Sequence, residues 1–297
     1  MKTLFKLFLL LLSLSSFGQE TTYVKDQIME NYMKSGFSTK NFIPNGETDK
    51  QNQRQGFWKD YEVKSDYTCI HTGLKPKQIF GRFLLYGEGI FKDGKREGKW
   101  IFYTIEDITF KKIIQKEVNY KNGILKGEFK YFFPNESVAM SGNLMNDELH
   151  GTIKSFHTDG KIYGIRFYDN GLKIGKHIYI YSNGKTELEH SFVNGVKDGP
   201  YIAYYPNGNV MEKFNYKMGK EDGVYQYYHE NGQLWTEKIY DNGLVIEVKG
   251  NYSKNGKSRD AGNLKNGNGT VIHYTSEDKV YSIITFKNGL KESEEKF

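Results

Sequence analysis

Residues 193–232 read VNGVKDGPYIAYYPNGNVMEKFNYKMGKEDGVYQYYHENG, and the spacing of their glycines decides the architecture. Gly195 and Gly219 lie 24 residues apart, and so do Gly208 and Gly232. Asn194-Gly195, Asn207-Gly208 and Asn231-Gly232 each place side by side two residues that tolerate positive φ, which is the strongest short-range signal for a tight turn between twisted antiparallel strands. Each 24-residue unit therefore predicts two turns and two strands.

Working outward, the same two series extend over more than half of the chain. One runs Gly171, Gly195, Gly219, Gly243 and Gly267, the other Gly160, Gly184, Gly208, Gly232 and Gly256, and both are read as structural turn glycines. A third series, Gly127, Gly151, Gly175, Gly199 and Gly223, opens a strand with bulky residues two and five places on. The second places, with two earlier units added, are Trp58, Trp100, Phe129, Ile153, His177, Tyr201 and Tyr225; the fifth are Tyr61, Tyr103, Phe132, Phe156, Ile180, Tyr204 and Tyr228. Even and odd offsets point to opposite faces of a strand, so both faces carry large side chains. The fold class that follows is all-β, an elongated single-layer antiparallel sheet of stacked hairpins with about 24 residues per repeat. The array is expected over 56–289, with insertions near 62–93 and 107–119 and a polar tail over 290–297 that frays.

Composition agrees. Of the 297 residues only 37% are hydrophobic, while aromatics reach 15%; glycine is frequent (32) and proline scarce (5), which suits many tight turns and disfavours helical and disordered classes. The net charge of +6 comes from scattered lysines interspersed with acids, which reads as a solvated surface and not as a nucleic-acid site. Residues 1–18 have a basic start, an apolar run from Leu7 to Leu14 and a small residue at Gly18. That run is too short to span a membrane and is read as a signal peptide cleaved near Gly18, leaving an exported mature chain without a transmembrane span. Residues 19–55 form a cap segment in which VKDQIMENYMK is a candidate short helix. Cys69 is the sole cysteine, so no disulfide framework holds an exported chain together.

Units such as YDNGLKIGKHIYIYSNG (Tyr168 to Gly184) and YKMGKEDGVYQYYHENG (Tyr216 to Gly232) resemble the MORN family, in the variant repeat of bacterial proteins that carries an antitoxin-like label. The resemblance covers roughly residues 56–289. It implies one hairpin per repeat, a binding or scaffold role, and no catalytic residues.

The residues themselves point the same way. The sequence has no Gly-x-Ser-x-Gly elbow, phosphate loop or His-Glu-x-x-His zinc motif. His157 and His229 occupy one repeat position but sit three units apart, roughly 30 Å by strand spacing, so they cannot share a metal ion. Glu221-Asp222 and Glu277-Asp278 read as turn residues, and Cys69 beside His71 reads as a structural thiol. Neither cofactor nor metal is expected. The functional expectation rests on one face: Trp100, Phe129, Tyr131, Tyr179, Tyr201, Tyr225 and Tyr227 share parity and are the candidate binding residues. Because the fifth place is bulky in every unit, the opposite face is expected to be the better packed. A protein partner is expected first, with a toxin bound in an immunity-like role or an envelope glycan as alternatives.

Overall fold

The computed structural model describes residues 47–63, 84–105 and 112–297, and these are all-β, with no helix among them. The signal-peptide segment, the candidate helix, and Cys69 with His71 lie outside the described residues. The chain divides into two compact units, Met1–Ile114 and Gln115–Phe297. In the first, strands β1 (Glu47–Thr48), β2 (Arg54–Val63), β3 (Leu84–Lys92) and β4 (Lys95–Ile105) pair in succession, all antiparallel. Within the expected insertion 62–93, residues 84–92 thus form a regular strand of the array.

Strand β5 (Lys112–Lys121) spans the division, and the second unit continues with β6 (Ile124–Phe132), β7 (Val138–Met145), β8 (Glu148–Phe156), β9 (Ile162–Asp169) and β10 (Leu172–Ile180). There follow β11 (Thr186–Val193), β12 (Val196–Tyr204), β13 (Val210–Lys217), β14 (Lys220–Tyr228), β15 (Leu234–Asp241), β16 (Leu244–Tyr252) and the short β17 (Ser258–Arg259). Each strand from β5 to β17 pairs antiparallel with the next, so the stacked-hairpin reading holds.

The two turn series differ in kind. At the β11–β12 end both Asn194 and Gly195 take positive φ (47° and 83°), the geometry of a type I′ turn, whose twist matches that of the flanking strands. Met218 holds the Asn position of the next such turn, at φ 50° and 79% exposed. At the opposite end of the strands only the glycine is left-handed. There Gly184 N–H donates to the Tyr181 carbonyl at 2.9 Å, and Asn183 Oδ1 accepts from Lys185 N–H at 3.0 Å.

Both ends are stitched to the neighbouring repeat. At the type I′ end Gly195, Gly219 and Gly243 each donate an N–H, at 2.8 Å, to the carbonyl of Lys173, Lys197 and Glu221 in the preceding repeat. At the other end Tyr181 and Tyr205 hydroxyls donate to the Tyr204 and Tyr228 carbonyls, both at 2.7 Å. Asn183, Asn207 and Asn231 side-chain amides donate to the carbonyls of Pro206, Glu230 and Lys254, each at 2.8 Å. His157 and His229, which share one repeat position, fill the Tyr181 position of their repeats; their Nε2 atoms lie 2.9 Å from the Ile180 and Tyr252 carbonyls.

The array does not run regularly to residue 289. The strand that β17 begins is cut short near Gly262, which takes φ 90° and approaches the next strand so closely that a Cβ there would lie 2.2 Å from the Thr270 carbonyl oxygen. The segment around it still bonds on both sides, Val248 N–H to Leu264 O at 3.2 Å and Ile272 N–H to Ala261 O at 3.1 Å. Beyond it β18 (Gly269–Tyr274), β19 (Val280–Lys287) and β20 (Leu290–Lys296) form a second, three-stranded sheet. Val245, Leu264 and Val271 make the buried cluster at this end, with Tyr240, Val248 and Phe286 packed against it. The tail expected to fray is instead strand β20, exposed throughout but paired with β19 from Lys287↔Leu290 to Ser282↔Lys296. Its backbone completes a ladder, and its charged residues, two Lys and three Glu, suit a sheet edge facing water.

Stability measurements on three variants check these roles. Met218→Asn supplies a residue that tolerates the left-handed region and loses little packing, so urea denaturation is expected to show a gain of about 1 kcal/mol. Tyr205→Phe deletes the hydroxyl bond into the next repeat and is expected to cost about 1 kcal/mol. Tyr204→Phe, whose hydroxyl makes no comparable bond, should change stability by less than about 0.5 kcal/mol.

Candidate binding face

Residues directly opposite in an antiparallel pair share a face, so the pairing assigns the faces without ambiguity. His190 lies opposite both His177 and Tyr201, Tyr201 opposite Phe214, and Tyr225 opposite Lys238. This second-place face is the packed one. Ile153 and His177 are fully buried, Phe129 is 2% exposed, and in the first unit Trp100 is fully buried. The fifth-place residues Phe132, Phe156, Ile180, Tyr204 and Tyr228 are all half-buried. The expected assignment of the better-packed side is therefore reversed. The physical reason lies in the strands between: Gly89 and Gly142 sit beside the largest groups, where a Cβ would come within 2.3 Å of the Trp100 ring and of Ile153 Cδ1. Glycine in the neighbouring strand lets a bulky second-place side chain lie flat across it and become covered.

The candidate residues separate accordingly. In the first unit Trp100 packs edge-on to Phe91 at 5.0 Å and donates its indole N–H to the Ile90 carbonyl at 3.1 Å. Phe129 packs on Tyr131 at 5.4 Å. Trp100 and Phe129 support the face from inside and offer a partner no surface. Tyr131, Tyr179, Tyr201, Tyr225 and Tyr227 are half-buried and keep part of each ring at the surface. Four of them belong to one region. Tyr179 meets His190 at 5.7 Å, His190 meets Tyr201 at 6.2 Å, Tyr201 stacks on Phe214 at 4.5 Å, and Phe214 leads to Tyr225 at 5.5 Å and on to Tyr240 at 5.7 Å. Tyr227 packs edge-on to Trp235 at 5.6 Å. Tyr131 lies several strands away, beyond Ile153 and Arg166.

The tyrosine row is held protonated. Burial, helped by the Glu212 carboxylate, pushes Tyr201 up to about 12, and burial with Glu221 and Glu212 does the same for Tyr240. Tyr225 is raised further by the same causes, burial first, and donates its hydroxyl to Glu212 Oε2 at 2.8 Å. Such hydroxyls act as donors over the whole working range of pH.

Several polar groups on this face were not singled out by the sequence. The His177 ring sits at the bulge between Ile174 and Ile178, where its Nε2 lies 3.0 Å from the Phe167 carbonyl and 3.2 Å from its N–H. It occupies the ladder position that the bulge leaves open. Neither ring nitrogen of His190 has a hydrogen-bond partner among the described residues, and burial, then the charges of His177, Lys197 and Lys173, pushes it down to about 4. Arg166 is 5% exposed, with Nη2 3.4 Å from Met140 Sδ and no partner for Nε. Lys173 and Lys197 rest their ammonium groups over the Phe192 and Tyr216 rings at 5.1 and 4.6 Å. Farther along, burial holds Lys238 down at about 8, with Nζ 3.4 Å from His273 Nε2. The signal for Lys173 and Lys197 was present, since each stands two residues before a strand-opening glycine, but only strand-by-strand register brings them into one column. Among the described residues, no three His, Cys, Asp or Glu side chains gather as a metal site would require.

His190 makes the face sensitive to acid. Below about pH 6.5 the unfolded imidazole takes up a proton that the folded one refuses until about pH 4, so its contribution is intact above 6.5 and lost as pH falls toward 4. His190→Phe, in a site already lined by Phe192 and Tyr201, removes two unpaired polar atoms and is expected to stabilise by about 1 kcal/mol at pH 7. Thermal melts between pH 7 and 4 should show a shallower loss for the variant.

No curated protein matches the chain. Three stretches, residues 149–170, 197–218 and 221–242, match the family model described as MORN repeat variant. Each begins within a glycine-opened strand and ends at the type I′ turn that follows its partner, so the matched unit coincides with one structural repeat.

Proposed function

We propose that this chain is an exported, non-enzymatic scaffold that binds a partner protein across the tyrosine-bearing face of its repeat array. The observation that carries the reading is the run Tyr179, Tyr201, Tyr225 and Tyr227, half-buried rings spread over three consecutive repeats on one face. Rings anchored by their neighbours lose little freedom on association and bring large contact area, which is why tyrosine is concentrated where interfaces gain their affinity. The match of three repeats to the MORN repeat variant supports a repeat protein built for binding. Export rests on the short apolar run Leu7 to Leu14 behind a basic start.

Truncating these tyrosines would confuse lost contact with lost packing, so the test keeps an aromatic ring in place. Benzophenone-bearing phenylalanine is introduced singly at Tyr201 and Tyr225, and as controls at Tyr204 and Tyr228 on the opposite face. Each variant is melted and then irradiated with the cell-envelope fraction. Crosslinked protein from 201 and 225, and not from 204 and 228, is the expected result. Crosslinks only from the controls would transfer the function to the other face, and retention on glycan without any protein adduct would replace the protein partner with a sugar.

A further inference from the structure

Two residues before the strand-opening glycines Gly151, Gly175, Gly199 and Gly223 the second unit carries Leu149, Lys173, Lys197 and Glu221, one per repeat, and the repeat before them carries another leucine, Leu125, at this place. Register places all four on the packed face: Leu149 is opposite Leu144, Lys173 opposite Tyr168, Lys197 opposite Phe192 and Glu221 opposite Tyr216. All four are half-buried. The column therefore reads apolar, cation, cation, anion across the strands.

The two cations are not consumed by the fold. Among the described residues the Lys173 ammonium meets only the Phe192 ring, and Lys197 meets the Tyr216 ring and its hydroxyl at 3.3 Å; neither makes an ion pair there. Buried Arg166 adds a third positive charge with no carboxylate partner, and its field, with that of Lys197, reinforces the effect of burial in pushing Lys173 down. Like charges held together without counter-charge destabilise a fold, and an acidic ligand relieves that cost on binding. Glu221 next in the column remains unbonded to Lys197 and sets a boundary.

We propose that this column recognises an acidic segment of a partner protein lying across the strands in the polyproline II conformation, with carboxylates three residues apart over Lys173 and Lys197 and a basic residue three further on over Glu221. The spacing follows from geometry. Equivalent positions in successive repeats are two strand separations apart, about 9.5 Å, and one turn of polyproline II helix, three residues rising about 3.1 Å each, covers about 9.3 Å and returns to the same face. Apolar Leu149 fits an apolar residue three places before the first acid. The inference rests on the scaffold reading above and names the chemistry of what that face binds.

The test uses the whole chain and three synthetic peptides of one length, the first two also of one composition. The first carries the order apolar-x-x-Asp-x-x-Asp-x-x-Lys, the second has its two Asp residues adjacent, and the third reverses every charge. Fluorescence anisotropy is expected to show the first bound at least tenfold more tightly than the second, with affinity falling as salt rises. Lys173→Glu with Lys197→Glu should abolish that preference and turn it toward the reversed-charge peptide. Should this pair fail to melt cooperatively, Lys173→Gln with Lys197→Gln removes the charge alone and must still cost at least tenfold. Equal binding of the first two peptides, or unchanged affinity in a folded lysine variant, overturns the proposal. So does lysine-dependent binding to phosphatidylglycerol vesicles with no affinity for the spaced peptide. If the lysine variants still crosslink the envelope partner through position 201 at full yield, the column is wrong while the scaffold reading stands.

Discussion

Every repeat depends on hydrogen bonds made to the next one. A lone two-stranded hairpin is marginal in water, and a sheet without a second layer has no thick core to rescue it. Here both ends of the strands are tied across repeats, by glycine N–H groups such as Gly219 to Lys197 on one side and by Tyr205 to Tyr228 and Asn207 to Glu230 on the other. These bonds recur because the chain returns to the same place after 24 residues. A one-residue insertion within the run would break register at both ends and move side chains to the wrong face, which explains why the period is strict from Gly160 to Gly256.

The side chains answer the same need. Rings on the second-place face reach across strand boundaries, so Tyr201 on Phe214 and Phe214 on Tyr225 join repeats that backbone bonds have already aligned. Covering that face brings polar groups into it. His177 is accommodated because the bulge beside it frees Phe167 backbone atoms for its ring. His190, with no such partner, is a cost carried by the packing around it, and Arg166 is another. Such groups mark where the face departs from what stability alone would select.

The turns and strands were legible in the sequence because glycine at positive φ has few substitutes, and Asn-Gly pairs state the turn directly. Met218 shows the limit: it holds a left-handed position only because Gly219 and the flanking strands fix the turn around it. The faces were separable by parity, but not which of them is buried, since bulky residues stand at both the second and the fifth places. The deciding residues lie on the intervening strands, where Gly89 and Gly142 make room for Trp100 and Ile153. Those glycines fall outside the turn series and carried no meaning until strand pairing placed them beside their large neighbours. Strand β20 was misread for a related cause, because polarity speaks of exposure and says nothing of whether a ladder partner is available.

The period also decides what a partner can sense. Along a strand, neighbouring side chains alternate faces, so a ligand lying parallel to the strands meets residues of a single repeat. A ligand lying across them meets one residue from each repeat at intervals of about 9.5 Å, and equivalent positions there can differ because the bonds they accept from the turn glycines use backbone carbonyls, whatever the side chain. The positions two before each strand-opening glycine are of this kind: they tolerate Leu149, Lys173, Lys197 and Glu221 in turn while the backbone around them stays the same. The tyrosines contribute contact area that changes little from repeat to repeat, whereas this column varies in charge. In the proposed complex the rings would supply most of the affinity, and the order of charges across the strands the discrimination among partners.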